Sequence, residues 1–422
     1  SDKRLKALYA AQAAYGARDA YQGGQAGAMG AEGNAVGGNI ARDEQGRPIM
    51  GADGHPQAAA SGSQGAANAS GVSLRIGIGA SSASAHSDTH DDIVYASHIQ
   101  SAGDVTIAAT NGDLNVIGSQ VSGDNVALTA SHDLNLLSQA EQHTQSDHNA
   151  NARGELGISI GSQTGFYATA DGGKGVARGN GTSYANSSVT ASDTLSLLAG
   201  NDATIRGAQA KGNTVLATIG HDLTLESQQT TDDYASHSWQ AGGTYVYGSG
   251  SEVHASAGMV DSNYTSVNQV SGIGAGNGGF QVHVGSHTDL KGAAIASTAD
   301  SSLNLLDTGT LSFSDLKNSA SYSAMSAGIS VGSGNGGTSA SPSIGVPQFG
   351  DKSSTTQAGI AQGTIITRNN PGTDLSGLDR APDIDAAGLK PIFDQQKVAE
   401  QQELGNVAGQ VGMRAAGDIA SY

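Results

Sequence analysis

The chain has no cysteine among its 422 residues, which excludes disulfide frameworks, thiolate nucleophiles and cysteine-ligated zinc. Charged residues make up 14% and aromatics 4%, where an average soluble domain carries about a quarter charged residues. Basic side chains are scarce: 20 Lys and Arg face 38 Asp and Glu, a net charge of −18. That balance disfavours a nucleic-acid partner, which calls for a basic footprint. No apolar run reaches the roughly 18 residues of a membrane-crossing helix. Ser1 opens a charged, alanine-rich stretch without an apolar signal core, so any export signal is expected outside this chain, which reads as a fragment.

Proline is the most telling shortage. Pro48, Pro56, Pro342, Pro347, Pro371, Pro382 and Pro391 are the full set, and residues 57–341 hold none. Disordered tracts are enriched in proline, whereas a continuous β ladder excludes it because proline has no N–H to donate. With 62 glycines, the composition therefore favours an elongated repeat protein of small residues over a disordered polymer.

Four parts are expected. Residues 1–22 carry apolar groups at helical spacing (Leu5, Leu8, Tyr9) and form an N-terminal helix, a candidate cover for one end of the repeats. Residues 23–70 are a Gly/Ala-rich linker. Residues 71–366 hold the repeats. Residues 367–391 form a proline-containing linker, and 392–422 a helical segment interrupted near Gly405.

The middle part repeats at two scales. Aliphatic pairs start at Val105, Leu114, Val126 and Leu134, again at Leu195, Ala203, Val215 and Leu223, and again at Val282, Leu290, Leu303 and Leu311. Every second start is about 20 residues on, and the three modules recur at about 88 residues. Each pair sits at i and i+2, so both side chains share one side of a strand. Stacked at that period they form a continuous apolar column, and short polar residues such as Asp104, Asp113, Asp133, Asp202 and Asp222 turn the corners. One rung cannot offset its own ordering entropy, so rungs stand only by stacking. The expected fold is all-β, a right-handed parallel β-helix with short helical flanks. Glycine-rich alternating runs (LRIGIGA, LGISIGS, TYVYGSG, AGISVGS) interrupt the repeats. They are read as lateral hairpins, with membrane-inserting strands and flexible loops as the alternatives.

No motif carries chemistry. Ser159 and Ser330 each sit in a G-x-S-x-G pattern, but both lie in alternating strands with no helix following. Gly274, Gly276 and Gly279 fit G-x-G-x-x-G yet precede the strand-like FQVHV, so a loop is expected. His132 and His221 occupy equivalent corners, SHDL and GHDL, where a turn role outweighs ligation. His86 and His90, like His283 and His287, are four apart in strands, about 13 Å, too far to share an ion. Asp91/Asp92 and Asp232/Asp233 are adjacent carboxylates without a convergent partner. No catalytic, cofactor-binding or metal site is assigned. Residues 71–341 hold 23 acidic and 8 basic side chains; like-charge repulsion of that kind keeps filaments apart.

The blocks AGDVTIAATNGDLNVIGSQVSGDNVALTASHDLNLLSQAEQ and AGNDATIRGAQAKGNTVLATIGHDLTLESQQ resemble the haemagglutinin repeats of bacterial two-partner-secretion exoproteins. The glycine-rich strands after them resemble the second repeat region of contact-dependent growth-inhibition toxin filaments. The segments LKALYAAQAAYGARDAYQ and GTIITRNNPGTDLSGLDRAPDIDAAGLKPIFD are similar to family segments flanking that region, the latter just before the pretoxin part. The resemblance implies a non-catalytic part of a secreted filament on a Gram-negative surface, exported through an outer-membrane two-partner-secretion transporter. It implies a C-terminal toxin region in the same full-length chain and engagement of a target cell's outer membrane. The competing reading is the shaft of a filamentous adhesin; a β-helical polysaccharide-degrading enzyme is disfavoured by the dispersed basic residues.

Overall fold

The computed structural model describes residues 73–161, 165–334 and 337–401. The expected helix at 1–22, the linker at 23–70 and most of the C-terminal helix lie outside them. What is described is nearly all β.

Short strands stack into three parallel ladders. One runs through His98–Gln100, Gln120–Gly123, Ser187–Ala191 and the first part of Ala208–Ile219, then Gly272–Val284, Ala294–Ser297 and Gly359–Ile360. A second joins Val105–Ala109, Val126–Ala130 and Thr194–Ala199 to the later parts of the same two long strands, then Leu305–Thr308 and Thr364–Thr367. The third joins Leu114–Ile117, Leu134–Leu137, Ala203–Arg206, Leu223–Glu226, His287–Lys291 and Thr310–Ser314.

Between the ladders lies one apolar core. Leu128, Leu136, Leu195, Ile205, Leu225, Ile273, Phe280, Leu290 and Leu306 are among its fully buried side chains. The register is the expected one through the first two modules: Leu114 pairs Leu134, and Val105 pairs Val126. In the third module it is offset by two. Val215 pairs Phe280 rather than Val282, and Leu223 pairs Thr288 rather than Leu290. Leu303 lies in a short 3-10 turn, Ser301–Leu303, outside the ladder. The aligned inward positions begin one step before each aliphatic start, at the buried Phe280 and Thr288, and just upstream an extra loop at Gly276–Gly278 slips the pairing against Gly212/Thr214. Gly279 returns the chain to the ladder at φ +73°, and a Cβ there would lie 2.5 Å from the Leu303 carbonyl.

After each strand of the third ladder the chain either continues the coil or leaves it. Where it continues, the next residue is a left-handed glycine: Gly118, Gly207 or Gly292, with φ +53°, +60° and +51°. Where it leaves, Ser138, Ser227 or Asp315 stands in that place, and a long hairpin follows. The departing strands build a second, antiparallel sheet: β1 (Ser73–Asp91), β2 (Gln139–Gly161), β3 (Gly165–Ala185), β4 (Gln229–Val246), β5 (Gly250–Val267) and β6 (Leu316–Gly334). β7 (Gly337–Ile344) and β8 (Gln348–Thr356) both pair with β6. β2 alone has 23 residues, about 75 Å at strand rise.

Buried serines pin two of the hairpin roots. Ser187 Oγ donates to the Leu137 carbonyl at 2.7 Å, and Ser227 Oγ accepts from the Ser271 amide at 2.8 Å. The segment read as a linker, 367–391, packs on the last rung instead. Leu375 and Leu378 join the core, and Arg368 Nη2 donates to the Val284 and Gly285 carbonyls at 2.6 and 2.8 Å. Its prolines do not oppose this, because nothing there belongs to a long ladder.

Candidate functional site

Successive residues of the long antiparallel strands alternate between the two faces of their sheet, and the faces differ in kind. On the outer face, Ile76, Ile158 and Phe166 share one row; Ile78, Leu156, Ala168 and Tyr245 the next; Ala80, Ala170, Val253 and Val331 the third. Ile78 is 88% exposed, Phe166 70% and Tyr247 69%. A groove of about 740 Å³ crosses five strands here, lined mainly by apolar atoms of residues such as Ile78, Leu156, Tyr245 and Val253. Moving towards the coil, the first charge on this face is Lys174, in the row of Trp239, Ala257, Ala327 and Ile344. From the Phe166 row to the Trp239 row is eight residues along a strand, about 27 Å.

The inner face of the same rows is polar. Arg153, Asp171, Gly242, His254 and Ser330 lie side by side across five strands. Arg153 Nη2 donates to Asp171 Oδ2 at 2.9 Å, and His254 Nε2 lies 3.4 Å from Asp171 Oδ1. Asp171 reaches across because its intervening neighbour is Gly242, where a Cβ would overlap Asp171 Oδ1. One row further out, Glu155 accepts a hydrogen bond from Tyr167 Oη. The Tyr167 ring lies over Gly157, where a Cβ would come within 2.7 Å of Cε1. Apolar outside and polar inside is the pattern of strands that face lipid on one side only.

The residues singled out from sequence sit as follows. Ser159 is fully buried in the inner face, opposite Arg75 and Gly165. Ser330 faces His254 across the strands, with Asp171 beyond Gly242, but no hydrogen bond joins Ser330 to His254 among the described residues. Gly274, Gly276 and Gly279 lie in the looped strand Gly272–Val284. His86 pairs with Asp88 at 2.8 Å and His90 with Asp92 at 3.2 Å. His283 lies 3.5 Å from Asp307, while His287 bonds Thr310 and Ser312 at 2.7 and 2.8 Å. Neither histidine pair converges. Asp91 bonds His143, away from Asp92. Asp232 and Asp233 fall on opposite faces by alternation; burial raises the Asp232 pKa, with the Asp233 charge adding to it against His143.

The corner aspartates form a column. Asp113 Oδ1 accepts the Asp133 amide at 3.1 Å, Asp133 Oδ1 that of Asp202 at 3.2 Å, Asp202 Oδ1 that of Asp222 at 3.0 Å, and Asp222 Oδ1 that of His287 at 2.9 Å. His132 and His221 flank it, each 2.9 Å from the carboxylate below, Asp113 or Asp202. Those bonds, with the charges of Asp133 and Asp222, raise both histidine pKa values. Asp113/His132/Asp133 and Asp202/His221/Asp222 are the two places, among the described residues, where three metal-ligating groups converge. In each the histidine is exposed and a carboxylate already caps an amide of the next rung.

Residues 78–243 match the hemagglutinin repeat family. The chain is 35% identical over 380 residues to the deoxyribonuclease CdiA of Dickeya dadantii (strain 3937), covering 83% of this chain and 11% of that protein. It is 35% identical over 381 residues to the tRNA nuclease CdiA of Escherichia coli O6:K15:H31 (strain 536 / UPEC), covering 84% and 12%. It is 37% identical over 330 residues to the deoxyribonuclease CdiA of Yersinia pseudotuberculosis serotype O:3 (strain YPIII), covering 74% and 30%. The chain is a CdiA-like, filamentous-haemagglutinin-type repeat region. This repeat region spans about a tenth of the length of the first two relatives, so their nuclease names describe proteins far longer than it. No solved structure matches it.

The sequence reading missed the row Arg153–Asp171–His254, because its members come from three hairpins and meet only through register. It also missed the corner code. The available signal was glycine, against Ser or Asp, directly after each third-ladder strand.

Proposed function

We propose that this repeat region helps deliver a C-terminal toxin, carried by the same full-length chain, across the outer membrane of a contacted bacterium. In this reading the three ladders are the sides of a right-handed parallel β-helix within a filament secreted through an outer-membrane two-partner-secretion transporter. The region itself is non-catalytic, takes no nucleic-acid partner and works at the surface of a Gram-negative cell, passing from periplasm to target membrane. The observation that carries the proposal is the lateral sheet's uncharged outer band, about 27 Å deep and backed by a polar inner face. A bilayer's hydrocarbon core is about 30 Å thick. A filament that only supplied reach would have no use for that band.

Flotation with vesicles of outer-membrane lipids tests the proposal. The repeat region should float with the vesicles, and a variant carrying Ile78→Asp with Leu156→Asp should stay at the bottom of the gradient. If the unaltered protein ignores vesicles, the adhesin-shaft reading replaces this one.

A further inference from the structure

The chain leaves the coil along the inner face of the lateral sheet. At the root, Tyr264 Oη donates to the Leu389 carbonyl at 2.7 Å, and the Leu389 amide donates to Ser266 Oγ at 3.0 Å. Further out, the Phe393 ring stacks on Tyr234 with centroids 5.5 Å apart and lies 6.0 Å from Tyr322. Further still, Val398 packs with Ala177, Val260 and Ala324, and its carbonyl accepts from Gln348 Nε2 at 3.0 Å. These three anchors fall on successive inner-face rows, each two residues farther from the coil. The chain therefore travels towards the apolar end, on the polar side of the sheet.

The rows ahead of Val398 carry glycine and small or polar side chains on this face. Ser238 and Gly258 share one row with Gly175; Gln240, Ser256 and Gly328 share the next with Gly173. Charge returns at Arg153–Asp171–His254, six residues beyond the Val398 row and about 20 Å away. Buried polar atoms that make no hydrogen bond lie on this face: Asp147 Oδ1 and Ser236 Oγ in the Val398 row and Arg153 Nε in the charged one. Asp147 and Ser236 are each 1% exposed. Each such group calls for a partner, which a polar occupant of this face would supply.

We infer that the inner face is a docking track for polypeptide, and that its occupant is the chain's own next segment, residues 402–422, which lie outside the described residues. Their sequence, QELGNVAGQVGMRAAGDIASY, suits a face lined by glycine and serine. It is small-sided, places Leu404, Val407 and Val411 at helical spacing, and supplies Arg414 at about the distance of the charged row. Thirteen helical residues or six extended ones cover the 20 Å.

Photo-crosslinking in lipid-free buffer tests the track separately from membrane engagement. A benzophenone amino acid is placed on the inner face (Ser238→p-benzoylphenylalanine or Gln240→p-benzoylphenylalanine) or on the outer face (at Trp239 or Met325). A Val260 variant, under Val398, serves as the positive control. Peptides from 402–422 should be captured from positions 238 and 240 and not from 239 or 325. The inference fails if 239 or 325 captures them equally well. It also fails if 238 and 240 capture nothing from 402–422 while the Val260 variant still captures the peptide containing Val398.

Discussion

The Asp202 amide donates to Asp133 Oδ1 at 3.2 Å although 69 residues separate them in the chain. Most of that separation is the β2–β3 hairpin, which leaves the coil and returns to the rung directly above. The hairpin is thus an insertion into the coil. Deleting Gln139–Ala185 and joining Ser138 to Asn186 should leave a coil that unfolds cooperatively, since the Leu137 carbonyl already lies 2.7 Å from Ser187 Oγ. Circular dichroism melting should show retained β signal, with β1 newly sensitive to protease. Loss of all β signal would mean that the lateral sheet supports the coil.

The core column sets stability. Ile205 lies between Leu136 and Leu225 in the third ladder, and all three are buried. Ile205→Ala should cost about 2–5 kcal/mol, because the rungs above and below are held by ladder hydrogen bonds and cannot close the cavity. Denaturant unfolding of the two proteins measures the difference. A change below about 0.5 kcal/mol would contradict a continuous column.

The corner column makes stability depend on pH in two directions. The His132 and His221 pKa values are raised by their carboxylate bonds, so their contribution is full below about 6.5 and fades as pH rises through the folded-state values. Bonds from Asn201 and the Asp202 amide lower the Asp133 pKa, so its contribution holds above about 3.8 and is lost as pH falls through the lowered value. Asp232, raised by burial, acts against that acid loss. The melting temperature should therefore decline from about pH 6 to pH 8, and His132→Gln with His221→Gln should flatten the decline. An unchanged slope would place the titration elsewhere.

Where spacing alone decides position, the sequence was sufficient. Val105, Leu114, Val126 and Leu134 announced two ladders because an i/i+2 aliphatic pair fixes the face and a 20-residue period fixes the partner. The third module was offset because Phe280 and Thr288, which are not aliphatic, hold the aligned positions, and Gly276–Gly278 look like any other glycine-rich stretch until pairing against Gly212 and Thr214 shows them looping out. The lateral sheet was legible at its apolar ends, LRIGIGA and AGISVGS. Its middle, such as QAEQHTQSDHNANARG, alternates too weakly to read as strand and is held extended by neighbours on both sides. The two-faced outer band was invisible for the same reason: Ile78, Tyr245 and Val331 come from separate hairpins.

Trp239, the chain's single tryptophan, lies on the outer face, 53% exposed, beside Lys174 at the edge of the uncharged band. Tryptophan favours that boundary when a protein enters a bilayer. Its fluorescence, recorded with vesicles carrying brominated acyl chains, reports most directly on whether the band enters lipid. The account predicts a blue-shifted emission quenched by bromines near the headgroup more than by bromines at the chain ends. Emission unchanged by vesicles, at protein and lipid concentrations where flotation shows binding, would contradict it.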